Sequence, residues 1–237
     1  MNSEKVKIKY HKSFEAFAKK SLYLGDMLDF VEGGQNFTPD KDKVFRFMEN
    51  DLTNLKAVIL GMDPYNSTYE KNGKVLKVAT GRAFEVANVE NWTDKYKQMS
   101  LINIFKAIAY IKTGKIFSME ELRHLDLGID LNIKNFFDKL EKNGVMFLNA
   151  SLTTIIGKSG AHTKIWEPFM NEVLKYIVET THNAKWLIWG QDAKNRVDGI
   201  VPNECIYYSC HPATRVNNTF VENSNLDKIK ELIFEKG

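Results

Sequence analysis

The sequence predicts an α/β fold: a single domain with a central four-stranded parallel sheet flanked by helices. Three observations carry this reading. Four short apolar segments, at 57–60, 145–148, 186–189 and 205–208, are rich in β-branched or aromatic residues, and each ends on a polar or turn residue. Longer segments between them place apolar residues at helical spacing, as Leu101, Ile104, Phe105 and Ile108 do. Strands that alternate with helices need crossover connections, and crossovers make neighbouring strands parallel.

Taken in order, residues 1–54 form a mainly helical N-terminal segment within the 1–237 domain. Its apolar patch, Phe14, Phe17 and Ala18, is of the kind that packs on its own fold. The first strand, 57–60, stops at Gly61. Residues 81–86 read either as an accessory strand or as an extended loop. Residues 88–98 and 157–163 read as polar surface loops. The 145–148 strand stops at Asn149. Phe169, Val173, Leu174 and Ile177 then mark the apolar face of a second long helix. The last two strands stop at Gly190 and Ser209. Sheets of this type place their sites just beyond the C-terminal strand ends. That rule selects 61–66, 149–153, 190–193 and 209–215.

Composition excludes several classes. The 237 residues are 43% hydrophobic, 27% charged and 12% aromatic, a globular balance. Cys205 and Cys210 are the two cysteines, too few for a disulfide framework or an iron–sulfur cluster, and they fit a reducing compartment. The first twenty residues interrupt their apolar positions with charge, and no apolar run approaches the ~18 residues of a membrane span. A soluble intracellular protein is expected, with no membrane partner. A net charge of +3 is too small to argue for nucleic acid by itself.

Familiar motifs also fail. Gly157-Lys158-Ser159 resembles the end of a P-loop, but Leu152 stands where the first glycine belongs. No GxGxxG follows the first strand. The histidines at 11, 124, 162, 182 and 211 form no HxxxH pair, and neither cysteine belongs to CxxC. No metal is called for.

The strand ends carry the chemistry. Gly61-Met62-Asp63-Pro64-Tyr65-Asn66 sets a carboxylate and an aromatic ring on a stiffened turn. Asn149 adds an amide able to read both donor and acceptor edges of a base, and His211-Pro212-Ala213-Thr214-Arg215 adds an imidazole and a cation. Each element alone is an ordinary turn or cap; an acid, an aromatic, an amide and a histidine at three strand ends are not.

The ordered set resembles family 1 uracil-DNA glycosylases. VILGMDPY (58–65) is similar to their water-activating GQDPYH motif, GRAFEV (81–86) to the uracil-stacking segment, and SLINIFK (100–106) to the helix after the proline-rich loop. GVMFLNASLT (144–153) resembles the strand bearing the uracil-reading asparagine; LIWG (187–190) and His211-Pro212 complete the order. The resemblance implies hydrolysis of the N-glycosidic bond of uracil in DNA, on a base flipped out of the stack, without cofactor or metal. It implies Asp63 and His211 as catalytic residues. Asp63 orients and activates water, and neutral His211 holds the charge developing on uracil O2. It implies Met62, Tyr65, Phe84 and Asn149 as the base-binding set, with Phe84 stacking, Asn149 pairing and Tyr65 filling the space of a 5-methyl group. DNA contacts fall on Ser100, Lys158, Lys164, Gln191 and Arg215.

The departures are specific. Met62 and Asn66 replace glutamine and histidine, residues 91–99 lack the proline-rich clamp, and Gln191 replaces a serine. HPATRV places Arg215 at the position of the leucine wedge, and the combination of GxDPY with HPAxR is similar to the divergent poxvirus-type members. The expectation is therefore a monomeric glycosylase acting on uracil-containing DNA, with a replication or inhibitor protein as a further partner. It works in the cytoplasm, or in a nuclear or virus-associated setting if the source is not bacterial. Two alternatives stay open: a glycosylase-like module that binds DNA or a replication partner with weak or no catalysis, and an enzyme for another damaged base.

Overall fold

A computed structural model describes residues 6–181, 183–215 and 219–234. His182 and Val216 lie outside the described residues. After a short 3-10 turn come α1 (Glu15–Lys20), α2 (Leu24–Gly33) and the short strand β1 (Phe37–Thr38). Strand β2 (Ala57–Gly61) leads to a hairpin of β3 (Thr68–Lys71) and β4 (Lys74–Lys77), then to α3 (Met99–Thr113), α4 (Met119–Leu122) and α5 (Ile133–Lys142). Next come β5 (Val145–Asn149), β6 (Thr154–Ile155), α6 (Thr163–Thr181), β7 (Lys185–Trp189) and α7 (Gln191–Val197). Strand β8 (Ile206–Ser209), α8 (Thr219–Asn223) and α9 (Lys230–Phe234) follow.

The main sheet runs β5-β2-β7-β8, with every pair parallel, as the alternation of strands and helices requires. Its side chains alternate between two cores. Val58, Leu60, Met146, Leu148, Trp186 and Ile188 face α6 and the N-terminal helices. Ala57, Ile59, Val145, Phe147, Leu187 and Trp189 face α3, α5 and the C-terminal helices. Both faces being covered explains why these strands read as continuous apolar runs. The N-terminal patch does pack on the fold: the buried Phe14 and Phe17 rings lie 6.0 and 5.2 Å from Tyr176 on α6.

Several details differ from expectation. Strands β2 and β5 each run one residue further, so Gly61 and Asn149 pair as a rung of the ladder. Cys205 closes a 3-10 turn, and the last strand begins at Ile206. Residues 81–86 form an irregular segment held at one end by an Ala79–Val86 bridge. The stretch 88–98 is not merely surface: Trp92 is 0% exposed and stacks on Phe105 at 5.3 Å, with Phe136 edge-on. One large ring outweighs the polar neighbours that surround it in sequence, because its burial is worth a few kcal/mol.

A buried ionic cluster anchors the 81–86 segment. Arg82 donates to Glu85 at 3.0 Å and to Asp138 at 2.7 Å, and also pairs with Glu141. Burial alone disfavours its charge, but Glu141, Glu85 and Asp138 outweigh that, and its pKa rises above the ordinary arginine value. Next to this anchor Phe84 adopts φ 66°, in the left-handed region that a bulky residue rarely occupies. Strain of this kind persists only where surrounding contacts hold it, and here they do.

Candidate active site

The C-terminal ends of β2, β5, β7 and β8 open onto one cleft of about 380 Å³. Its walls include Met62, Asp63 and Tyr65 after β2, Asn149 at the end of β5, Gln191 and Asp192 after β7, and His211 after β8. Phe84 and Ser100 close it from the two segments that follow the hairpin.

The loop 61–66 is tied to the sheet, so its side chains have fixed origins. Ala150 N–H donates to the Gly61 carbonyl and Ser151 N–H to the Met62 carbonyl, both at 2.9 Å. Gly61 is required here by close approach: a Cβ would stand 3.1 Å from both Asn149 Oδ1 and Phe84 Cζ. The absence of a side chain lets the amide and the ring sit side by side. Asn149 is only 3% exposed, yet its amide makes no hydrogen bond among the described residues. A buried amide with unused donors and acceptors at a cavity wall is poised for a ligand that supplies them.

The Asp63 carboxylate accepts from Ser159 Oγ at 3.0 and 2.9 Å and from the Gly160 N–H at 2.6 Å. Tyr65 presents its ring to the cleft, while its hydroxyl is buried without a hydrogen-bond partner. That burial pushes its pKa up to about 12, and the neighbouring Ser100 hydroxyl, which makes no hydrogen bond of ordinary geometry with it, offsets only part of this, so the phenol stays neutral. Phe84 leans on Trp189 at 5.0 Å and on His211 at 6.3 Å.

His211 Nδ1 accepts the Ala213 N–H at 3.0 Å, which leaves the ring proton of a neutral imidazole on Nε2. One edge of the ring stays open to solvent, but the packed protein around the rest lowers its pKa from 6.5, opposed by Asp192 and Asp63. The loop is braced from α3, where buried Asn103 donates to the carbonyls of Pro212 at 2.7 Å and Thr214 at 3.1 Å.

Eight of the eleven residues singled out from the sequence therefore meet at this cleft: Met62, Asp63, Tyr65, Phe84, Ser100, Asn149, Gln191 and His211. The cations do not line it. Lys158 is exposed on the loop beside Ser159, Lys164 is exposed in the first turn of α6, and Arg215 lies exposed beside Lys106 on the outer side of Asn103. Sequence reasoning missed Ser159, Gly160 and Asn103, and reached Asp192 only as part of the 190–193 stretch. Among the described residues no group of three or more His, Cys, Asp or Glu is placed to hold a metal ion.

Known proteins match this arrangement. The Francisella tularensis subsp. holarctica protein named uracil-DNA glycosylase is 31% identical over 184 residues, covering 75% of this chain and 71% of its own. The chain belongs to the uracil-DNA glycosylase family. A second uracil-DNA glycosylase, from Streptococcus gordonii, is 28% identical over 86% of this chain and 84% of its own length. No family model matches the chain. Among solved structures, the wild-type UNG of Nitratifractor salsuginis superposes with a TM-score of 0.71 at 18% identity, covering 94% and 92% of the two chains. A mimivirus UNG in complex with UGI superposes at 0.66 and 22% identity, covering 88% and 73%. The four-stranded parallel sheet with its flanking helices is thus the fold of this glycosylase family.

Proposed function

We propose that this uracil-DNA glycosylase family member excises uracil from DNA through the side chains gathered in the cleft, as a hydrolase of base excision repair. One observation carries the reading: a carboxylate, a buried unpaired amide, a stacking ring and a neutral imidazole donor converge on a cavity at the strand ends.

A flipped uracil stacks on Phe84 and offers N3–H and O4 to the Asn149 amide. Met62 lines the floor through its backbone, and the Tyr65 ring occupies the volume a thymine methyl would need. As the bond from the sugar to N1 breaks, negative charge develops on uracil O2 and positive charge on the sugar. His211 Nε2–H donates to the first. The Asp63 carboxylate stabilises the second, orients water for attack at the anomeric carbon and takes up its proton.

Lys158, Lys164 and Arg215 are assigned to phosphates, with Ser100 and Gln191 contacting the strand at the cleft edge. Arginine at position 215 also stacks on bases, so it serves as the wedge that supports the flipped state. A replication or inhibitor protein is assigned as a further partner, and the enzyme to a monomer. The two cysteines are free, in keeping with a reducing compartment: cytoplasm, or the nuclear or viral equivalent. No described helix is long and apolar enough to cross a membrane.

The test is release of free uracil from single- and double-stranded uracil oligonucleotides. Asp63→Asn is expected to fold and bind DNA as the wild type does, and to lose ~10²–10⁴-fold in rate. Turnover by Asp63→Asn at the wild-type rate would overturn the mechanism.

A further inference from the structure

We propose that Ser159 is a positioning residue for the reaction, setting the Asp63 carboxylate at the angle from which it addresses water. This rests on the catalytic role given to Asp63 above.

The geometry is that of a clasp. Ser159 Oγ lies 3.0 Å from Asp63 Oδ1 and 2.9 Å from Oδ2, so its one proton is shared across both oxygens. The Gly160 N–H reaches Oδ2 at 2.6 Å. An ionised carboxylate offers about four acceptor positions, and these two donors leave capacity on Oδ1 for a water molecule. Without them the side chain has two free torsions at the end of a turn, and no other hydrogen bond among the described residues holds its oxygens.

The clasp is itself anchored. Gly157 N–H donates to the Asn66 carbonyl at 2.7 Å, so the 157–160 turn grips the catalytic loop at its far end as well as at Asp63. Thr154 Oγ1 donates to the Lys158 carbonyl at 2.7 Å, and Thr163 Oγ1 to the Gly160 carbonyl at 3.0 Å. Gly160 adopts φ +70°, and a Cβ there would stand 3.1 Å from Met62 Cε. The turn thus needs glycine to bring its amide onto the carboxylate beside Met62. Ser159 itself is exposed and contributes no apolar burial, so removing its hydroxyl leaves the core untouched. Displacements of about 1 Å in a reacting group are enough to cost ~10²-fold in rate.

The experiment is a double-mutant cycle read by single-turnover excision from a single-stranded uracil oligonucleotide. Binding is measured separately with an oligonucleotide carrying an uncleavable uracil analogue. Ser159→Ala is expected to lower the rate about 10- to 100-fold while leaving KM, analogue affinity and Tm as in the wild type. Ser159→Thr, which keeps the hydroxyl, should recover most of that loss. In an Asp63→Asn background Ser159→Ala should add less than about twofold, because its effect runs through the carboxylate. A wild-type rate for Ser159→Ala, a loss confined to KM or affinity, or an equal loss in both backgrounds would each overturn the proposal. If Asp63→Asn is inactive while Ser159→Ala is fully active, the Ser159 role alone fails. If Asp63→Asn turns over normally, the reading of Asp63 fails and takes the clasp with it.

Discussion

Gly61 and Asn149 face each other across the β2–β5 ladder so closely that a Cβ on the glycine would stand 3.1 Å from the amide oxygen. The same added carbon would meet Phe84 Cζ at 3.1 Å, so both proposed base contacts share one tolerance. Gly61→Ala is therefore expected to overpack the cleft and destabilise the protein by about 1–3 kcal/mol in urea unfolding. Affinity for an uncleavable uracil analogue should fall by more than the loss of stability explains. Unchanged affinity would mean that Asn149 and Phe84 do not hold the base.

Base selection should follow Asn149 and Tyr65. Asn149→Asp loses the donor to uracil O4 and gains an acceptor for the cytosine amine, so the ratio of cytosine to uracil release should rise. Tyr65→Ala should open room for a methyl group and permit slow thymine release. Tyr65→Phe makes the sharper control: the hydroxyl is buried without a hydrogen-bond partner, so removing it should leave discrimination intact and stability level or improved. Free-base analysis on matched U, T and C oligonucleotides reads all three.

His211 sets the acid side of the rate profile. Desolvation lowers its pKa from 6.5, against the opposing pull of Asp192 and Asp63. The neutral ring is the working form, so kcat should stay level through pH 6.5 and fall only as pH drops through the lowered value. Asp192→Asn removes an opposing charge and should move that limb to still lower pH. The stability linkage has the same sign: a histidine harder to protonate when folded contributes stability that is present above pH 6.5. That contribution is lost as pH falls through the folded pKa. His211→Ala should lower kcat by ~10²–10³-fold while barely changing analogue affinity.

Arg82 supports the site from behind. Its partner Glu85 is 2% exposed, and among the described residues the only other cation paired with it is Arg46, 3.6 Å away. Arg82→Ala leaves that carboxylate buried and should cost about 3–5 kcal/mol, whereas Arg82→Met with Glu85→Leu should recover most of the loss. Urea unfolding of the single and double variants checks this. The double variant should still excise uracil slowly, because Phe84 then lacks the ionic anchor of its strained backbone.

What the sequence discloses and what it hides follow from range. The four sheet strands are legible because both faces are covered and the apolar runs are unbroken. Their C-terminal residues are legible because parallel sheets gather chemistry there, and six of the residues at those ends line one cleft, whereas Phe84 and Ser100 were legible only through the family resemblance. Trp92 was hidden by its polar neighbours, since one anchoring ring leaves no periodicity. Ser159 was hidden for a different reason. It meets Asp63 across 96 residues of chain, and a lone serine in a turn has no pattern to betray it. Asn103 was hidden in the same way, since its side chain bridges 109 residues to Pro212.

The hydrogen bonds from Ala150 to Gly61 and from Ser151 to Met62 extend the β2–β5 ladder beyond the strands and into the catalytic loop. Amide protons at 150 and 151 should therefore exchange with deuterium as slowly as those in the middle of the sheet, although they border an open cleft. Most enzymes place such segments among their least stable parts, which open long before the whole molecule does. Here the loop that aims the carboxylate belongs to the same cooperative unit as the core. On warming, activity should then survive up to the global melting transition, without an earlier step in which the site alone comes apart.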